Sequence, residues 1–307
     1  MKKGFGATLL AAALALSTTG CIKKMLLDGQ IESTRKASTA IDSLHDYEVA
    51  NAAAYAGLAQ FEGMHYLAPE NEDALFMLTK GWTGATFAFT EDAMERAEES
   101  EGGTDGPLYK YHQTRARAGY ERAIYFGLLA LEARNPGFEP AKKNDQTIKA
   151  WVNAFTEPED VPMLFWTGYA WLSKTNIAKE EPAVVADLFI GIAMIERAVK
   201  LDETYMNGSG HIALGAYHAR SPMAEVEEAK KHFDRAAQIN GGKVLMVKFQ
   251  LATKYYCIKG DKQQYEKLLN EILAAGDVFP EGRLQNTIAK RKAKRYLGKD
   301  RMRNCGF

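Results

Sequence analysis

The chain has 307 residues, 46% of them hydrophobic, and its 39 basic residues balance 39 acidic ones. This length and apolar content suit a folded chain with a sizeable core and exclude an intrinsically disordered one. The balanced charge, without a concentrated basic excess outside the last helix, excludes a typical nucleic-acid-binding protein.

The first segment has the features of an export signal. A basic start is followed by the apolar run Ala7–Leu16 and then by small residues that end directly before Cys21. A membrane span would require roughly 20 apolar residues, which is more than this run supplies. The pattern therefore predicts a lipoprotein signal peptide over residues 1–20.

Cys21 is the predicted lipidation site, because a small residue and a cysteine end the signal as in a lipobox. Thr18 stands where a lipobox usually has an aliphatic residue, so an ordinary secretory signal beside an incidental cysteine is the alternative. Ile22 follows the cysteine in place of an aspartate. By analogy with lipoprotein sorting in Gram-negative bacteria, we expect a protein anchored in the outer membrane that faces the periplasm.

Apolar residues recur at helical spacing throughout the mature chain, and the alternation typical of strands is absent. The sequence therefore predicts an all-α protein, with a tether and first helix over residues 21–45 and one helical domain over residues 46–307. The predicted helices are Lys24–Leu44, Tyr47–Leu67, a long segment from Asn71, Leu108–Arg134, Ile148–Phe155, Met163–Ala178, Ala183–Leu201, a hairpin within Ser209–Gly242, Val244–Lys259, Gln263–Ala275 and Gly282–Leu297.

The hairpin within Ser209–Gly242 shows a repeat signature. In its second helix Ala229, Phe233 and Ala236 have the spacing of the second helix of a tetratricopeptide unit. The segment Gly191–Ala198 keeps this spacing with substitutions. We therefore expect an α-solenoid of degenerate tetratricopeptide-like helix hairpins, and an unrelated helical bundle with coincidental spacing is the alternative.

Two charged segments have simple interpretations. The acidic run Glu95–Glu101 precedes a Gly-rich segment, which predicts a solvated helix end and a surface loop, since the spaced ligands of a calcium loop are lacking. The last helix, Leu284–Leu297, carries a dense basic face over Lys290–Arg295. We expect this helix to cap the last repeat with its basic face in water, and attraction to an anionic membrane is the alternative.

Two cysteines remain after lipidation and can pair in an oxidising compartment. Cys257 falls at a predicted buried helix position, whereas Cys305 lies in a tail that we expect to be frayed. The pattern therefore favours two separate thiols, with a disulfide as the alternative.

The sequence contains no nucleophile elbow, zinc-protease motif, phosphate loop or paired-cysteine motif. His211 and His218 are seven residues apart, farther than the usual zinc-binding pair at four, so they are interpreted as core or groove residues. No catalytic site, metal site or cofactor is therefore predicted. Large amphipathic side chains can instead line an apolar cavity or a partner-binding surface, with core packing as the alternative. The candidates are Trp166, Tyr169, Trp171, His211 and Tyr217.

Four segments carry a resemblance to a known family. They are GYAWLSK at Gly168–Lys174, the glycine-rich stretch Gly191–Ala219, the stretch Ala229–Phe249 and the closing IAKRKAKRYL at Ile288–Leu297. Together with the lipobox and the helical body, these segments resemble the T-component (TatT) of systems associated with TRAP, or tripartite ATP-independent periplasmic, transporters. The likeness is strongest from Leu164 to Leu297.

The resemblance implies a periplasmic lipoprotein with divergent tetratricopeptide-like helix pairs, which is not an enzyme. Such a protein associates with the periplasmic solute-binding protein of a TRAP transporter. A homotrimer is also implied, in which each protomer has a pore or cavity that passes or holds an apolar ligand. A lipid-anchored helical-repeat scaffold for envelope or outer-membrane protein assembly is the alternative, and an envelope hydrolase is a more distant one.

Overall fold

The computed structural model describes the backbone of residues 5–100, 102–220 and 225–307, and the side chains of these ranges from residue 22 onward. All regular elements in these ranges are helical, which confirms the predicted all-α class. The side chains of the predicted signal peptide and of Cys21 lie outside the described residues. Within the part that is described, no helix combines the length and the apolar character needed to cross a membrane.

The structure divides the described chain into helices of very different length. They are α1 (Phe5–Ser38), α2 (Tyr47–Leu67), α3 (Glu72–Ala85), α4 (Glu91–Ala97), α5 (Pro107–Arg134), α6 (Phe138–Ala141), α7 (Asp145–Val152), α8 (Val161–Ile177), α9 (Pro182–Ala186), α10 (Leu188–Leu201), α11 (Tyr205–His218), α12 (Val226–Asn240), α13 (Leu245–Gln250), α14 (Cys257–Lys259), α15 (Lys262–Ala274), α16 (Arg283–Tyr296) and α17 (Lys299–Asn304). The π-helical turns Thr86–Thr90 and Leu251–Tyr256 connect α3 to α4 and α13 to α14.

Side-chain caps explain where α2 and α3 begin. Asp46 caps α2 by accepting hydrogen bonds from the backbone N–H groups of Glu48 and Val49. Asn71 caps α3 in the same way, with its side-chain oxygen 2.9 Å from the N–H of Ala74. Because such caps satisfy the free donors of a first helical turn, both helices begin where the sequence predicted.

Neighbouring helices pack mainly in chain order and then return to the beginning. Helix α2 packs on α3, α3 on α5, α5 on α8, α8 on α10, α10 on α11, α11 on α12 and α12 on α13. Helix α13 packs on α16, and α16 contacts both α2 and the 3₁₀ turn Thr39–Ser43. The helices therefore close into a ring around an interior space.

The ring closure corrects the expectation that α16 ends the array with its basic face in water. Lys292 is only 3% exposed, and its ammonium lies 2.7 Å from Oε1 of Glu95 on α4. Arg295 donates to both Asp92 and Glu95, and Arg291 donates to Asp92. Positions 288, 292 and 295 share one face of α16. Because Ile288 on this face is buried, Lys292 and Arg295 also point inward, where they meet the acidic residues of α4.

The same contacts correct part of the interpretation of the acidic run as a solvated helix end, because Glu95 is held by Lys292 and Arg295, whereas Glu99 and Ser100 are exposed as predicted. Burial raises the pKa of Asp92, but the hydrogen bond and charge of Arg295, followed by those of Arg291, outweigh burial and hold the pKa below its usual value. Glu98 lies 2.7 Å from Arg301 of α17. Glu101 lies outside the described residues. Glu95 and Glu98 therefore join the end of α4 to α16 and α17.

The C-terminal tail is also held more firmly than predicted. Cys257 and Cys305 form a disulfide with their Cα atoms 5.1 Å apart, so the prediction of two separate thiols is wrong. The ring of Phe307 packs edge-on against Tyr265, with centroids 5.2 Å apart. The tail is therefore held at two points, by the packing of Phe307 on α15 and by the disulfide from Cys305 to α14.

Candidate functional site

A cavity of about 1050 Å³ lies inside the ring of helices. This volume slightly exceeds the range for small-molecule pockets, which is about 300 to 1,000 Å³. The walls are mostly apolar and come from segments between α1 and α16. The larger wall residues include Leu58, Phe61, Met77, Phe87, Phe89, Phe165, Trp166, Tyr169, Ile212, Met246, Phe279 and Ile288.

Small residues of α2 and α3 leave this volume unfilled. Gly57 and Gly84 both line the cavity, and a Cβ atom added to either would meet no atom within 4 Å beyond its own helical backbone. Ala53 and Ala56 of α2 extend the same small-residue surface. Since protein interiors are normally packed as densely as organic crystals, an opening of this size needs a functional explanation.

Irregular backbone segments contribute to the cavity wall. The π-helical turn Thr86–Thr90 presents Phe87 and its neighbours to the cavity. Met206 and Asn207, which also line the cavity, have left-handed backbone with φ values of 49° and 58°. π-helical turns and left-handed non-glycine residues are unfavourable and concentrate at functional sites. The presence of both in the wall of one cavity therefore supports a binding role for this cavity.

Two of the residues selected from the sequence line this cavity. Trp166 is 8% exposed and donates a hydrogen bond of 3.1 Å from Nε1 to the hydroxyl of Tyr205. Tyr169 stacks on Phe165 with ring centroids 5.8 Å apart, and burial raises the pKa of Tyr169. The cavity therefore contains large aromatic surfaces that are fixed by contacts within the wall.

Trp171 does not line the cavity, so its expected place there is corrected. Its ring is buried 5.9 Å from the ring of Phe138, on the side of α8 that faces away from the cavity. At 100° per residue, Trp171 is turned by about 140° from Trp166, whereas Tyr169 is turned by only about 60°. Helical periodicity alone therefore separates Trp171 from the other two aromatic residues.

His211 and Tyr217 are likewise outside the wall of the cavity. His211 faces α12, where its Nδ1 lies 2.9 Å from Nδ1 of His232 and its Nε2 lies 3.1 Å from Glu203. Burial, with the charges of His211 and His218, lowers the pKa of His232 to about 4. No group of three or more His, Cys, Asp or Glu residues suited to a metal ion occurs among the described residues.

Tyr217 lies near the end of α11, where the guanidinium of Arg220 covers its ring at 3.7 Å from the centroid. The residues of α11 that line the cavity are Met206, Asn207, Ser209 and Ile212, all of them N-terminal to Tyr217. His211 and Tyr217 therefore make their contacts outside the cavity wall, whereas Tyr205 of the same helix accepts a hydrogen bond from the wall residue Trp166.

The sequence interpretation missed most of the wall, including the contributions of α2, α3 and the segment from Phe279 to Ile288. The repeated small residues Ala53, Ala56 and Gly57 were the available signal in α2. Charged side chains are few in the lining, where they are Asp42, Lys80 and Glu281.

Comparison with known proteins assigns the chain to a family. A family model described as TRAP transporter T-component matches residues 44–302, a range that contains α2 to α16. An uncharacterized protein of Treponema pallidum (strain Nichols) is 23% identical over 186 residues, which are 58% of this chain and 56% of that protein. The matched region thus spans just over half the length of this relative. Because the family model matches most of the length of this chain, the chain belongs to the TRAP transporter T-component family.

Proposed function

We propose that this T-component is a lipid-anchored accessory protein of a TRAP-type transport system. It holds an apolar ligand in its central cavity and binds a periplasmic solute-binding protein that delivers or receives this ligand. The observation that carries the proposal is a mostly apolar cavity of about 1050 Å³ inside a chain of this transport family. The family match favours transport over the envelope-assembly scaffold that the sequence left open.

The composition of the wall suits a mainly apolar ligand with some polar character. Phe61, Phe165 and Met246 supply apolar surface, and the amide of Asn207 and the hydroxyl of Ser209 supply a few polar atoms that can orient a ligand. Binding pockets for small molecules commonly combine such a wall with a small number of polar groups.

The proposal includes a solenoid of tetratricopeptide-like hairpins that the contact between α16 and α2 closes into a ring. Burial of the signature residues supports this arrangement, because Ala229, Phe233 and Ala236 each have 0% exposure. Acylation of Cys21 would anchor the protein to the outer membrane, facing the periplasm. Assembly into a homotrimer belongs to the same proposal.

The proposal can be tested with the full-length acylated protein and envelope extracts of its own source. We expect it to capture a TRAP-type solute-binding protein, identified by mass spectrometry, and to bind the fluorescent apolar probe N-phenyl-1-naphthylamine with an increase in emission. Folded protein that captures no solute-binding protein and does not bind the probe would contradict the proposal.

A further inference from the structure

Three of the six histidines of the chain form a row between α11 and α12. The ring centroids of His211 and His232 are 5.2 Å apart. The ring of His218 stacks on that of His232, with centroids 5.4 Å apart and an angle of 7° between the ring planes. We call these three residues the histidine row. The row brings titratable rings from both helices into direct contact.

The hydrogen bonds of the row limit how many protons it can hold. Nδ1 of His211 lies 2.9 Å from Nδ1 of His232, so one nitrogen donates and the other must accept without a proton. Nε2 of His211 lies 3.1 Å from Glu203, and because an ionised carboxylate only accepts, Nε2 carries a proton. The two rings therefore bond to each other while at least one of them is neutral. Protonation of both would bring two donors and two positive charges face to face.

The surroundings of His232 oppose its protonation. Burial, followed by the charges of His211 and His218 on α11, lowers the pKa of His232 to about 4. On its own helix, Lys231 acts in the same direction and Glu228 acts against it. Glu228 is itself bonded to Lys231 at 2.7 Å, which weakens the compensation that it offers. A second proton therefore enters the His211–His232 pair only at acidic pH.

The other charged groups near the row are already engaged. Glu203, in the turn before α11, accepts hydrogen bonds from Arg235 and from the row. Glu225 lies 2.7 Å from Nδ1 of the histidine that ends α11. Segments that pack elsewhere on α12 contribute groups that bond other partners: Lys248 bonds Glu271, and Tyr255 bonds Glu227. The carboxylates beside the row are therefore occupied before a second positive charge enters the His211–His232 pair.

The histidine row lies beside a part of the cavity wall. His211 stands in the chain between Ser209 and Ile212, which both line the cavity. From α12, Nδ2 of Asn240 donates a hydrogen bond of 3.4 Å to the carbonyl oxygen of Asn207, another residue of the wall. The position of these wall residues therefore depends on the contact between α11 and α12.

We infer that the histidine row is a pH-dependent switch that couples the contact between α11 and α12 to the shape of the cavity. With at most one charge on the His211–His232 pair, the two helices stay together and the wall residues of α11 hold the ligand. With both rings charged, repulsion moves the helices apart and displaces these wall residues, which weakens ligand binding. The inference rests on the proposed function, because it concerns release of the ligand from the same cavity.

The direction of the pH effect follows from His232. Its pKa is about 4 in the folded protein, below the ordinary histidine value of 6.5. Between these two values a ring that is freed from the row binds more protons than the packed ring does. The contact is therefore fully stabilised above pH 6.5 and weakens as the pH falls toward 4.

Binding of N-phenyl-1-naphthylamine to the full-length protein, from about pH 7.5 down to about pH 4, tests the inference. Each protein is measured over the range in which circular dichroism shows it to be folded. We expect acidification to lower the affinity of the wild type at least about threefold. His232→Gln removes the second titrating ring, and its amide can still donate to His211, so its affinity should stay nearly constant. His112→Gln is the matched control, because it removes a partly buried histidine of α5 whose pKa burial also lowers, and it should respond to pH as the wild type does.

A second measurement does not depend on the ligand. Hydrogen exchange of the backbone amides of residues 204–214 is compared between the wild type and His232→Gln at equal pH. We expect equal exchange at about pH 7.5 and faster exchange in the wild type at about pH 5, because only the wild type can place two charges in the pair.

The outcomes separate the inference from the proposed function. Equal exchange in the two proteins at about pH 5, or the same acid loss of probe affinity in both, would overturn the switch and leave the apolar cavity supported. Weaker probe binding by His232→Gln already at about pH 7.5 would identify a purely structural role for the ring and overturn the inference. Failure of the wild type to bind the probe at any pH would overturn the proposed function and the switch with it.

Discussion

The α11–α12 hairpin and the cavity-facing surface of α2 and α3 use glycine for opposite purposes. A Cβ atom added to Gly215 of α11 would lie 2.5 Å from the ring of Phe233, so this glycine lets the two helices interlock. A Cβ atom added to Gly57 or Gly84 would meet no neighbouring atom within 4 Å. The hairpin is packed to contact and the cavity-facing surface leaves space, whereas between α2 and α3 themselves a Cβ atom added to Gly81 would lie 2.8 Å from the side chain of Leu58. A small residue therefore indicates that two helices approach closely only where a large side chain of the neighbouring helix lies opposite it.

This difference has an energetic consequence. Side chains in a packed core gain many weak dispersion contacts, and side chains that border an empty volume lose those contacts on one side. The α11–α12 hairpin should therefore contribute more to the free energy of unfolding than the cavity wall does. The cavity wall should in turn tolerate substitutions that the hairpin does not tolerate.

The largest expected difference between the regions follows removal of an aromatic ring. Phe233 has 0% exposure, so Phe233→Ala should lower the free energy of unfolding by about 3 to 5 kcal/mol. Phe87→Ala removes a partly buried ring at the cavity, where fewer contacts are lost. This substitution should lower the free energy of unfolding by less than half as much as Phe233→Ala. Urea unfolding followed by circular dichroism measures both values. Equal losses would show that the cavity wall is packed as tightly as the hairpin.

A smaller effect is expected when a methyl group is added to the packed pair. Gly215→Ala places a Cβ atom against the Phe233 ring, which should lower the free energy of unfolding by about 1 to 3 kcal/mol through overpacking. The same urea titration measures this loss. A Gly215→Ala protein more stable than the wild type would mean that the two helices can separate without loss of contacts.

The smallest effect is expected when the same methyl group is added at the cavity. Gly84 lies within α3 in helical conformation, and nothing opposes a Cβ atom there. Because alanine is favoured over glycine inside a helix, Gly84→Ala should raise the free energy of unfolding by about 0.5 to 1 kcal/mol. Destabilisation by Gly84→Ala, measured in parallel with Gly215→Ala, would mean that the space beside α3 is filled in solution.

Sequence periodicity predicted the helices better than it predicted what lies between them. Helix α2 occupies the predicted range Tyr47–Leu67, because its apolar spacing and the cap at Asp46 are local features. The placement of Trp171 away from the cavity also follows from helical spacing and could have been predicted. The left-handed backbone at Met206 could not, since it depends on packing with distant segments rather than on the residue itself.

The errors at α16 and the C-terminus have a related cause. The basic spacing of Lys292 and Arg295 is compatible with water, with a membrane or with an acidic partner, and local sequence does not distinguish these environments. Their actual partner is Glu95, about 200 residues earlier in the chain. Pairing of the two cysteines likewise requires the return of the tail to the ring, which no local pattern indicates.

The most direct test of the account is to fill the cavity without disturbing the fold. Gly84→Leu projects a side chain into the open volume, and Gly63→Leu is the matched control, because Gly63 is an exposed glycine of α2 that is also free of nearby atoms but does not line the cavity. We expect Gly84→Leu to lower the affinity for N-phenyl-1-naphthylamine at least about tenfold, with little change in melting temperature, and Gly63→Leu to bind as the wild type does. Wild-type affinity in a folded Gly84→Leu protein would contradict the claim that this cavity holds the ligand.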